Sequence, residues 1–105
     1  VKDFIGKIKE LENNPVALQS LLNEITDEYA TVSYNYEKLI PEIAQKKKEL
    51  MEMYPKITEA NKRYDISEIG QREDIIKIRL KTLEKLMSTI KRQLQSYAEE
   101  ARNQY

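Results

Sequence analysis

The sequence predicts an all-α fold: a long antiparallel helical hairpin of the coiled-coil kind with a short N-terminal helix, and a three-helix bundle as its variant. Three observations predict it. Twelve seam positions (Leu18, Leu22, Ile25, Tyr29, Val32, Tyr36, Leu39, Ile43, Lys46, Leu50, Met53 and Ile57) step alternately by four and three residues, and only Lys46 is neither apolar nor aromatic. A second run, Ile69, Glu73, Ile76, Leu80, Leu83, Met87, Ile90, Leu94, Tyr97 and Ala101, has Glu73 as its charged member. Such spacing winds a narrow stripe along a helix that a partner helix must cover. The third observation is a composition of 40% hydrophobic and 34% charged residues with only two Gly and three Pro, which suits an elongated helical body with few loops.

Val1, Phe4, Ile5, Ile8 and Leu11 recur at helical spacing and predict a first helix over about residues 2–12. Asn13 and Asn14 stop it, and Asn14-Pro15 reads as an N-cap followed by proline at the first helical position. The second helix then spans about 15–57. Pro41 and Pro55 interrupt it on paper, at a cost of about 3 kcal/mol each, but the seam stays in phase through both, and both lie opposite the stripe. One kinked helix is therefore expected in preference to two helices broken at Pro41. Thr58 to Tyr64 lacks seam periodicity and is the expected loop. Asp65 and Glu68 have capping-box spacing for a third helix over about 66–104, with Gly70 weakening its first turns. The whole reads as one elongated domain, 1–105. It opens on Val1 rather than Met, and helical pattern still runs at Tyr105, as expected of a piece of a longer protein.

Pairing Ile57 with Ile66 at the hairpin tip puts Lys46 level with Glu73 to Lys77. The two charged seam residues, Lys46 and Glu73, are then expected to meet as a pair that penalises slipped registers.

The composition excludes most chemistry. With no Cys there is no thiolate or disulfide, and with no His there is neither an imidazole base nor a His metal ligand. Adjacent carboxylates such as Glu73 and Asp74 point to different helical faces, so no acid–base pair is formed. The reading is of a chain that is not an enzyme, with no cofactor and no metal. The 18 basic and 18 acidic residues cancel, which argues against a strongly electrostatic partner for the chain as a whole. No window approaches the roughly 18–20 apolar residues of a membrane span, and an intracellular, cytoplasmic setting is the default expectation.

What remains points to partners. Ile75, Ile78 and Leu86 on the last helix, and Leu21, Ile40 and Met51 on the second, lie beside the seams and would stay exposed in a simple hairpin. With Tyr34, which faces away from the seam, they form the expected partner interface, and Tyr54 and Tyr64 flank the loop as further contact candidates. The expected function is a non-catalytic scaffold or assembly module that binds a protein partner or itself as a homo-oligomer. The alternative is a nucleic-acid accessory protein using Lys46, Lys47, Lys48, Lys77, Arg79 and Lys81 on phosphates. A small helical chaperone or a spectrin-like rod module is a further alternative.

Two family resemblances bear on these classes. Ala44-Gln45-Lys46-Lys47-Lys48, followed by Asp74-Ile75-Ile76-Lys77-Ile78, resembles phage recombination-mediator proteins of the UvsY type over about half the chain. That would imply an oligomer loading a recombinase on single-stranded DNA, with Lys46 to Lys48 at the DNA. The size, the hairpin and Tyr64-Asp65-Ile66 resemble tubulin-binding cofactor A, which would imply a tubulin chaperone.

Overall fold

The computed structural model describes residues 3–103; Val1 and the expected helix ends at residues 2 and 104 lie outside them. All its elements are helices: α1 (Phe4–Leu11), α2 (Pro15–Met53), α3 (Ile57–Ile66) and α4 (Glu68–Asn103). They form two compact units, one of Val1–Ala30 with Lys81–Tyr105 and one of Thr31–Leu80.

In the first unit, Asp3 caps α1 by accepting the Gly6 N–H at 2.9 Å, and Asn14 caps α2 by accepting the Ala17 N–H at 3.1 Å. The Asn-Pro start is thus formed as the sequence predicts. Phe4 and Ile8 of α1 are buried, as are Leu18, Leu21, Leu22 and Ile25 of α2 and Leu83 and Ile90 of α4. Antiparallel pairing of α2 and α4 here follows from two contacts: Tyr29 donates to Glu84 Oε1 at 2.8 Å, and the Thr26 hydroxyl lies 3.6 Å from Met87 Sδ.

In the second unit, α2 passes Pro41 without a break. Pro41 is exposed while Leu39 and Ile43 beside it are buried, so the lost backbone bond falls on the wet side. Pro55 acts differently: α2 stops at Met53, and Met53 and Ile57 are exposed, so the working seam ends at Leu50. The expected loop is the ten-residue helix α3 instead. Its Ala60 and Tyr64, one turn apart, are buried in a cluster with Leu39, Ile43 and Leu50, against which Tyr36, Tyr54, Ile69 and Ile76 pack. Two apolar contacts at i,i+4 leave little periodicity for a sequence to show.

The turn into α4 rests on Ser67, not on the expected Asp65–Glu68 box. Its backbone N–H and hydroxyl both donate to the Tyr64 carbonyl, at 3.0 and 2.5 Å, and its oxygen accepts the Gly70 N–H at 3.1 Å. One side chain thereby closes α3 and caps α4. Gly70 is buried, and a Cβ there would run into the Tyr64 backbone carbonyl.

Gly70→Ala should therefore lower stability by about 1 kcal/mol or more, because overpacking against backbone outweighs the usual helix gain of about 1 kcal/mol. Urea unfolding would show the midpoint falling, and a rise would rule out the close approach. Pro41→Ala should instead raise the midpoint, since it restores an exposed backbone hydrogen bond without touching the core.

Candidate functional site

The densest constellation in the second unit surrounds Glu73, the one charged residue buried among those described. Its carboxylate accepts from the Tyr64 hydroxyl of α3 at 2.7 Å and from the Tyr36 hydroxyl of α2 at 3.2 Å, and Lys77, one turn further along α4, lies at 3.5 Å. Lys47 of α2 places its ammonium 4.8 Å from the centre of the Tyr64 ring. Three helices thus converge on one carboxylate.

Burial by itself would raise the Glu73 carboxyl, but the Tyr64 bond, the Lys77 charge, the Tyr36 bond and Lys47 together hold it below its ordinary value. The Tyr64 phenol is pushed up, first by burial, then by its bond to Glu73 and by the nearby negative charges of Glu73 and Asp74. Both shifts favour one state, a charged carboxylate receiving a neutral phenol. Such a state fixes the geometry of the three groups.

The expected Lys46–Glu73 pair is not formed. Glu73 meets Tyr36, ten positions before the expected Lys46 on α2, because the chain turns at Tyr54-Pro55-Lys56 and α3 packs against α2 where the hairpin had its loop. Lys46 is half-buried and lines a shallow groove of about 330 Å³ with Pro41, Glu42, Gln45, Glu49 and Ile69. Lys48 and Lys81 are exposed, and Arg79 is half-buried. Lys47 and Lys77 are engaged at the Glu73 node, and Lys81 belongs to the first unit while the other five belong to the second. Consecutive Lys46, Lys47 and Lys48 also point to three different faces.

The predicted interface residues also divide. Leu21 is buried in the first unit, where α1 lies alongside, and Leu86 is half-buried there. Ile75, Ile78, Ile40, Met51 and Tyr34 are exposed, all in the second unit, with Lys38 Nζ 4.5 Å over the Tyr34 ring. Met53 and Ile57, expected in the seam, and Ile66, expected at the start of the third helix, join them. Tyr54 and Tyr64, read as contact residues beside a loop, are half-buried and buried. Of the ten exposed large apolar residues described, eight lie in the second unit; Ile5 and Val16 are the others. Among the described residues no group of acidic side chains is arranged to hold a metal ion, and no helix is long and apolar enough to cross a membrane. No family model, curated protein or solved structure matches this chain.

Tyr64→Phe should cost about 1.5–3 kcal/mol, the range for a hydrogen bond to a charged group, and Tyr36→Phe about 1 kcal/mol because its bond is longer and less buried. Denaturant unfolding of the two variants checks the order. Because the folded Glu73 value is lowered, its contribution is full above the unfolded value of about 4.5 and fades as pH falls through the folded one. Because the folded Tyr64 value is raised, its contribution is full below 10.0 and is lost as pH climbs beyond that. Stability against pH should show shoulders on both sides, and Glu73→Gln should remove the acid one.

Proposed function

We propose that this chain is a non-catalytic helical assembly module whose second unit binds a further copy of the chain through its exposed apolar side chains. One observation carries the reading: eight of the ten exposed large apolar residues lie in that unit. On α4, Ile75 and Ile78 are one turn apart on the side away from Glu73 and Ile76; on α2, Ile40 and Met51 share a side with Ala44. Helix faces of this kind gain by mutual burial, at about 25 cal/mol per Å² of apolar surface removed from water. The reading draws further support from the absence of Cys and His, which leaves few groups suited to catalysis. The single-stranded DNA reading is less well supported, since Lys47 and Lys77 are already committed to the Glu73 node.

Sedimentation across a wide concentration range should show self-association, and Ile75→Glu with Ile78→Glu should shift the chain to monomer without loss of helix signal. A monomer at every concentration would sink this reading. Binding to a single-stranded oligonucleotide that weakens steeply with salt would put the nucleic-acid reading in its place.

A further inference from the structure

We propose that α3 is a releasable strap over the Leu39, Ile43 and Leu50 cluster, latched by the Tyr64–Glu73 hydrogen bond, and that acid or loss of this bond opens it ahead of the rest of its unit. The inference does not depend on which partner the exposed residues bind. Only Ala60 and Tyr64 of the ten α3 residues are buried, while Ile57 and Ile66 stand 66% and 68% exposed. A ten-residue helix with one large buried side chain, Tyr64, and a non-helical junction at each end can open without unfolding the longer helices beside it. Its two junctions are short and non-helical: Tyr54-Pro55-Lys56 before it, and Ser67, with extended backbone, after it. No interhelical ion pair holds it, because its one salt bridge, Arg63 to Glu59, is internal to the helix.

Ser67 ties its C-terminal end to α4, and Arg63 lies 4.9 Å from the Tyr54 ring, so the anchor to the core of the unit is Tyr64. Tyr64 is fixed by its hydroxyl on Glu73 and by Lys47 over its ring. Glu73 is faced by Tyr36 and Lys47 from α2, by Tyr64 from α3 and by Lys77 from its own helix, and Asp74 adds negative charge near the phenol. Protonating Glu73 weakens a charge-assisted bond to a neutral one and releases the pull of Lys77 and Lys47. Glu73 stays on α4 when this happens; Tyr64 leaves with α3. Opening bares Leu39, Ile43 and Leu50 beside Met53, already exposed at the end of α2.

Amide hydrogen exchange on the full chain tests this at single residues. Between about pH 7 and about pH 3, the opening constant for amides of residues 60–66 should rise severalfold, after correction for intrinsic rates. Amides of residues 39–50 and 18–25 should change less. Tyr64→Phe should raise the α3 opening constant by about tenfold or more at neutral pH, and Glu73→Gln should abolish the acid response. A single opening constant shared by α3 and α2 at both pH values overturns the proposal, as does an acid response that survives Glu73→Gln. Should Tyr64→Phe fail to fold, the pH series on the unaltered chain still decides.

Discussion

A carboxylate taken out of water must be hydrogen-bonded or neutralised, and the second unit is arranged around meeting that demand at Glu73. An apolar residue at this seam position would accept many helix alignments. A buried carboxylate accepts those that bring hydroxyl donors to both its oxygens, and here Tyr36 and Tyr64 do so from two different helices. The choice of tyrosine is physically apt. Each ring packs beside the apolar cluster while its hydroxyl reaches the charge, so a single side chain contributes to core and polar network together. Lys77 and Lys47 supply the remaining positive charge from the rim, where their ammonium groups keep access to water.

The two interior prolines show how packing overrules local propensity. Inside a helix each would remove a backbone bond of similar worth. At Pro41 the helix continues because buried Leu39 and Ile43 flank it, and stopping would forfeit their contacts. At Pro55 nothing comparable lies ahead: Met53 and Ile57 find no cover, whereas turning back buries Ala60 and Tyr64 and delivers the Tyr64 hydroxyl to Glu73. Ser67 and Gly70 make that turn tight. Ser67 satisfies backbone groups of both helices, and the missing Cβ at Gly70 lets the end of α3 approach the start of α4.

Much of this was legible in the residues. The heptad-like spacing located the buried faces of α2 and α4 from Leu18 to Leu50 and from Ile69 to Tyr97, since side-chain direction on a helix is a local property. Asn14-Pro15 located a helix start for the same reason. Glu73 stood out as a charge on a seam, but its partner did not. Lys46 was the obvious answer by sign, and the structure gives two tyrosines, whose neutral side chains carry no signal of pairing. Tyr64 was legible only as an aromatic near a loop.

The sequence by itself determined the all-helical class, the faces to be buried and the narrow range of chemistry open to a chain without Cys or His. Tertiary structure alone decided the register, the existence of α3, the burial of Leu21 and the identity of the groups that hold Glu73. The physical reason is one of range. Periodicity and caps are set by neighbours within a turn or two, whereas alignment and hydrogen-bond partners depend on where a short helix of weak pattern folds back on distant residues.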